Sequence, residues 1–248
     1  MSTWLFDLGN SRLKFAPLRG GVVGDVAAIA HDGNAFEPAW EDRLPAHMDA
    51  ACIAAVAAPS LSARLSAALA ARGAGLSMVH TEASLAGVRI AYAQPARLGV
   101  DRFLALLAAH ARGARPALVV GVGTALTIDL VDTDGLHRGG RIAPSPALMR
   151  AALHARAPLL PEDGGRYREF ADDTDDALAS GCEGAALALV ARSMEEGTRL
   201  LHGDAPELLL HGGGAPALLP HLPAAVHLPV LVLQGLAHWA SAKQQPGR

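Results

Sequence analysis

The run Trp4-Leu5-Phe6-Asp7-Leu8-Gly9-Asn10-Ser11-Arg12-Leu13-Lys14 opens the chain. A second run of the same kind, Leu118-Val119-Val120-Gly121-Val122-Gly123-Thr124-Ala125-Leu126-Thr127-Ile128-Asp129, opens its second half. In each, an apolar strand enters a short polar turn and another strand leaves it. Laid over each other, Gly9 meets Gly123 and Asn10 meets Thr124. The repeat implies two related lobes, each presenting a tight hairpin turn. Two such turns can hold a polyphosphate and its metal, which is the arrangement a small kinase needs.

Working outward, the first lobe reads as a strand over 3–8, a return over 12–18 and a third short strand over 22–29. A buried strand follows over 51–57. Pro59-Ser60 opens a helix with Leu61, Leu65 and Leu69 on one face, ended by Gly73. Val79 and the stretch 88–92 are strand-like, and Gly99-Val100-Asp101-Arg102 leads into a helix carrying Phe103, Leu104 and Leu107. The second lobe starts after Pro116, returns over 126–131, turns at Asp134-Gly135 and continues over 138–142. Ser145-Pro146 has the cap and first-turn proline of a helix. A long helix spans about 175–201, and Leu208-Leu209-Leu210 runs into Gly212-Gly213-Gly214 with a helix beyond. Strand-hairpin-strand, helix, strand, helix in both halves predicts an α/β fold of two duplicated lobes, 1–113 and 114–248, with mixed sheets flanked by helices. The hinge is placed near 112–116.

Composition narrows the class. Of 248 residues, 51% are hydrophobic and 4% aromatic, which allows a large alanine- and leucine-rich core and little stacking surface for bases. The net charge of −3, with no lysine or arginine block, leaves a nucleic-acid partner without its electrostatic footprint. Cys52 and Cys182 lack metal-ligand spacing and fit free thiols in a reducing compartment. The start of the chain enters a strand containing Asp7 and does not read as a signal peptide, and no run reads as a membrane span. The expectation is a cytoplasmic protein with neither membrane nor nucleic acid as partner.

Several residues can carry chemistry. A carboxylate at the end of a buried strand, as at Asp7, is expensive without a positive partner, and Mg²⁺ on a nucleotide is one such partner. Gly9 permits close backbone approach, Asn10 can donate to a phosphate oxygen, and Lys14 across the hairpin can meet the same charge. A Gly-Asn turn with Asp7 accepting local N–H bonds explains the first copy equally well. The second copy, Gly123-Thr124, favours phosphate. No G-x-x-x-x-G-K-[ST] occurs, and Gly121-Val122-Gly123 is followed by a strand pattern rather than a helix, so neither a P-loop nor a dinucleotide fingerprint is present. The Gly212 triplet would let a flat ligand such as adenosine approach the backbone. Asp101 reads equally as a helix cap, contributing roughly 1 kcal/mol, or as a base accepting a hydroxyl proton, contributing about 10²–10⁴-fold in rate. Arg102 beside it suits a carboxylate-bearing ligand. The serines lack a G-x-S-x-G context, and the histidines make no metal-type pair.

In order along the chain, Asp7-x-Gly9-Asn10-x-x-x-Lys14, Tyr92, Gly99-x-Asp101-Arg102, Gly123-Thr124-Ala125-x-Thr127 and Gly139-Gly140-x-Ile142-x-Pro144 resemble the motifs of type III pantothenate kinases. Together with Thr174 and the Gly212 triplet they span nearly the whole chain. The resemblance implies the acetate kinase/sugar kinase/Hsp70/actin fold, with two ribonuclease H-like lobes and a homodimer. It also implies transfer of phosphate from ATP to pantothenate, the first step of coenzyme A synthesis. It assigns Asp7, Leu8, Gly9, Asn10, Ser11, Arg12, Leu13 and Lys14 to the first phosphate loop, with Asp7 toward Mg²⁺ on the nucleotide. Gly123 and Thr124 fall in the second ATP contact. Asp101 becomes the general base, and Tyr92, Gly99, Val100, Asp101, Arg102 and Thr174 line the pantothenate site.

The resemblance further implies a monovalent cation, K⁺ or NH₄⁺, beside an acidic residue two positions before the second glycine. Here that position is Gly121, so the K⁺ site is left unassigned, and Ala143-Pro144-Ser145-Pro146 replaces the commoner Pro-Gly turn. A related kinase with another acceptor and a non-catalytic regulatory accessory protein are the alternative readings. Asp7, Lys14, Asp101 and Thr124 favour catalysis.

Overall fold

A computed structural model describes residues 2–244, which form two compact units: 2–113 with Asp134–Leu136 and 230–244, and Ala114–Thr133 with His137–Pro229. In the first unit lie β1 (Thr3–Leu8), β2 (Arg12–Arg19), β3 (Val22–Val23), β4 (Ala27–Ala30) and β5 (Ala50–Ala55). After these come α1 (Pro59–Ala70), β6 (Gly75–Met78), β7 (Ser84–Leu85), β8 (Val88–Arg89) and α2 (Val100–Ala111). The second unit holds β9 (Ala117–Val122), β10 (Ala125–Val131), β11 (His137–Pro144), α3 (Pro146–Arg156) and α4 (Thr174–Leu200). It continues with β12 (Glu207–His211), α5 (Ala215–Leu218) and β13 (Val226–His227), and α6 (Leu231–Gln244) belongs again to the first unit.

The two sheets share one topology. The first runs β3-β2-β1-β5-β6, with β4 also paired to β2; the second runs β11-β10-β9-β12-β13. In both, a meander of antiparallel strands occupies one side, and two strands parallel to the first strand extend the other. Period-2 alternation explains the layering. In β1 and β2, Phe6, Leu8, Leu13 and Phe15 enter one core cluster, completed by Leu61, Leu65 and Leu69 of α1. In β9 and β10, Val120, Val122, Leu126 and Ile128 enter the second, completed by Ala186 and Val190 of α4.

Three elements differ from the sequence reading. The strand expected over 22–29 is two strands. The N–H of Gly24 donates to Pro17 O at 2.9 Å, turning the chain before β4 pairs with 12–15 of β2. The stretch 88–92 is extended in a ladder only at Val88–Arg89, where it closes a two-residue-strand hairpin with β7. The division at 113/114 assigns everything beyond it to the second lobe, yet α6 packs on α2 and β1 in the first unit. The cause is hydrophobic. Helix α2 is buried over most of its circumference, and a helix apolar all round needs cover on more than the sheet side. Leu231, Leu233, Leu236 and Trp239 of α6 are buried. Helix ends follow local rules. Ser145 Oγ accepts the N–H of Leu148 at 3.2 Å to cap α3, and Asp173 caps α4 through the N–H of Asp176 at 2.8 Å.

Candidate functional site

In the first unit, β1 and β2 are joined by Gly9-Asn10-Ser11, closed by the Gly9 N–H donating to Arg12 O at 3.0 Å. Asn10, Ser11 and Arg12 are exposed, whereas Leu8 and Leu13 are fully buried core residues. Any ligand contact from those two leucines is therefore a backbone contact. His31, unremarked in the sequence, holds this turn: its Nε2 donates to Gly9 O at 2.9 Å while its Nδ1 accepts the N–H of Gly33 at 3.1 Å. That pairing engages both ring nitrogens and fixes the orientation of the imidazole. No spacing signal marks His31, because only the β2–β4 register (Arg12 opposite Ala30) brings it beside the turn.

Asp7 and Lys14 face each other across the β1–β2 ladder. Burial pushes the Asp7 carboxyl up to about 7, the negative charge of Asp101 adds to the rise, and Lys14 opposes it. Desolvation with a like charge close by is the condition under which a carboxylate seeks a cation. This pair of acids, countered by one lysine, fits a magnesium ion carried on a nucleotide.

Asp101 comes from the first turn of α2. The helix cap is Gly99 rather than Asp101, and Asp101 Oδ1 accepts the N–H of Arg102 at 2.9 Å. Gly99 is required for close approach. A β-carbon there would stand 2.6 Å from Asp101 Oδ1, so only glycine leaves the carboxylate where it is. Upstream, the Thr81 hydroxyl donates to Leu98 O at 2.8 Å and anchors the backbone entering the helix, a second contact that the sequence does not announce. Arg102 is buried, with its Nη1 donating to the Tyr92 hydroxyl at 3.3 Å and its guanidinium 6.0 Å from the centre of the Tyr92 ring. Tyr92, Gly99, Asp101 and Arg102 thus form one neighbourhood, and Val100 is packed away in the core.

In the second unit, Gly123 and Thr124 form a two-residue turn, exposed, with the Gly123 N–H donating to Ala125 O at 2.9 Å. One register step back, Gly121 lies between Thr127 of β10 and His211 of β12. A β-carbon on Gly121 would stand 2.7 Å from Thr127 Oγ1 and 2.9 Å from His211 Nε2. Thr174, exposed, is the first residue of α4, whose first turn also carries Asp175 and Asp176. The negative charges and the capped N–H groups suit the positive end of the helix.

Residues 4–196 match the sequence model of the family described as type III pantothenate kinase. The type III pantothenate kinase of Stenotrophomonas maltophilia (strain K279a) is 60% identical over 240 residues, covering 97% of this chain and 98% of its own. Among solved structures, a Campylobacter jejuni protein assigned to the Baf family of transcriptional activators superposes with a TM-score of 0.65 at 18% identity, over 98% of this chain and 100% of its own. A Sinorhizobium meliloti protein assigned as a 2-dehydro-3-deoxygalactonokinase gives 0.54 at 17% identity, over 99% and 100%. At these identities the structural likeness shows the fold, which is that of the actin and sugar kinases.

Proposed function

Because the chain belongs to the type III pantothenate kinase family, we propose that Asp101 is the base in its reaction. That reaction is the ATP-dependent phosphorylation of pantothenate to 4′-phosphopantothenate, the first step of coenzyme A biosynthesis. The observation carrying the proposal is the placement of the Asp101 carboxylate. It is oriented by the Arg102 N–H, given room by Gly99, and set near the charged end of β1.

The pantothenate hydroxyl attacks the γ-phosphorus in line with the departing ADP oxygen, and its proton passes to the Asp101 carboxylate. Little covalent chemistry is left for the protein, so positioning and charge neutralisation carry the rest. Arg102, held by Tyr92, offers its guanidinium to the pantothenate carboxylate. Thr174 is assigned to pantothenate by the family likeness. Gly9 lets the backbone approach closely, and the N–H groups and polar side chains of Asn10 and Ser11, with Arg12 and Lys14, take phosphate oxygens; Thr124 does the same from the second turn, beside Gly123. Asp7 would hold the Mg²⁺ of the nucleotide, which when bound neutralises phosphate charge. The monovalent cation implied by the resemblance does not fit the residues at Gly121.

A homodimer is part of the same proposal. Helix α3 buries none of its residues, and beside α4 it borders an apolar groove of about 760 Å³ lined by Pro144, Leu148, Met149, Leu153, Leu178 and Cys182. A second copy of the chain is the occupant proposed for it. None of the helices among the described residues is long and apolar enough to cross a membrane, and the compartment proposed is the ATP-containing cytoplasm.

Asp101→Asn tests the assignment. Turnover should fall by about 10²–10⁴-fold with pantothenate affinity and circular dichroism retained. Near-normal turnover in a slightly destabilised protein would make Asp101 only a helix-end residue.

A further inference from the structure

The second phosphate turn has no room for a monovalent cation held by residue 121. Gly121 is the counterpart of Asp7, two positions before the turn glycine, and so is the place from which a carboxylate would reach such an ion. Its partners in the ladder are Thr127 on one side and His211 on the other, and all three project to the sheet face opposite the Val120 and Val122 core. The two heteroatoms within 2.9 Å of a β-carbon built at 121 occupy the space that any side chain there would need. Threonine is short and β-branched and cannot withdraw far, so the imidazole would have to swing out. The acid next along that face, Asp129, is 2% exposed, and its Oδ1 is bonded to His137 Nε2 at 3.0 Å. It is not positioned as a substitute at 121: it lies two residues along β10 from Thr127 and is committed to a buried partner.

We propose that this enzyme works without a monovalent cation at the second turn, and that His211 is the group that excludes it. The inference rests on Gly123-Thr124 being a phosphate turn.

The test uses the wild-type protein in chloride salts of K⁺, NH₄⁺, Na⁺ and tetramethylammonium at equal ionic strength. Pantothenate-dependent ADP release and, separately, Mg-ATP affinity by calorimetry are measured in each. Both should agree across the four salts within about twofold. A saturable rise of about tenfold in either quantity with K⁺ or NH₄⁺ overturns the proposal. Thr124→Val separates the underlying assignment: it should weaken Mg-ATP binding equally in all four salts. Unchanged binding in that variant would remove the phosphate role of the turn, while the wild-type salt series still decides cation independence. The double substitution Gly121→Asp with His211→Ala opens the space and supplies a carboxylate. It should gain about tenfold tighter Mg-ATP binding in K⁺ than in tetramethylammonium. A folded double variant indifferent to K⁺ would contradict the role given to His211.

Discussion

The β1–β2 turn and the β9–β10 turn occupy the same place in two sheets of the same strand order, yet they are built from opposite materials. At the position two before the turn glycine, the first has Asp7, a carboxyl raised to about 7 by burial and by Asp101. The second has Gly121, with an imidazole and a hydroxyl packed into the space beside it. Across the ladder the first has Lys14 and the second Thr127. Duplicated topology has therefore kept a tight turn at the same place in both sheets, each closed by its glycine N–H. The carboxyl and the ammonium group are found in one copy, and the other has a hydroxyl and an imidazole beside a glycine. A charged group poised for a ligand is destabilising in the free protein, whereas a filled space is stabilising, so substitutions at equivalent positions should have opposite signs.

The largest effect should come from the charged turn. Asp7→Asn should lower turnover by about 10²-fold or more, because the Mg²⁺ that neutralises the phosphate charge would lose the carboxylate proposed to hold it. The same variant should be more stable than the wild type when free of ligand. Between pH 4 and 7 native Asp7 keeps a proton that the unfolded chain has released, so its contribution to stability falls as pH rises through that window and is flat above it. At pH 8 the asparagine should therefore raise unfolding free energy by on the order of 1–3 kcal/mol, read from urea titrations at pH 5 and pH 8. Equal stabilities at both pH values would deny Asp7 its raised pKa.

Gly99→Ala should come next. The new methyl displaces the Asp101 carboxylate, and kcat should drop by about tenfold or more while the melting transition barely moves. An unaltered kcat would mean that this placement of Asp101 is irrelevant. Gly121→Ala in the neutral turn should behave conversely, costing about 1–3 kcal/mol of stability through overpacking against Thr127 and His211. A stabilised Gly121→Ala protein would show that the space is open. The smallest effect should be that of His31→Ala, which removes the donor to Gly9 O and should cost about 1 kcal/mol with a modest rise in KM for ATP. No change in either would reduce His31 to a bystander.

Much of the architecture was legible because hairpins declare themselves locally. Gly-Asn, Gly-Thr and Asp-Gly turns between alternating strands gave β1–β2, β9–β10 and β10–β11, and Ser145-Pro146 gave the start of α3. The motifs also placed Tyr92, Gly99, Asp101 and Arg102 in one neighbourhood. What escaped was set by pairing over long sequence distances. His31 reaches Gly9 through the β2–β4 register, and His211 reaches Gly121 through parallel pairing of β9 with β12. Helix α6 returns to α2 because of what α2 leaves uncovered. In sequence Asp101 reads equally as a cap or a base, since an acid beside a glycine at a helix start looks the same whether it binds its own backbone or a substrate. The structure makes Gly99 the cap and gives the carboxylate to the Arg102 N–H.

The contrast between the two turns is tested most directly by the pH dependence of Mg-ATP binding, measured by calorimetry for the wild type and for Asp7→Asn. Wild-type affinity should rise as pH passes upward through about 7, where Asp7 ionises, and the asparagine variant should lack that step while binding more weakly above it. Superimposable profiles would contradict the assignment of the nucleotide's metal charge to the first turn.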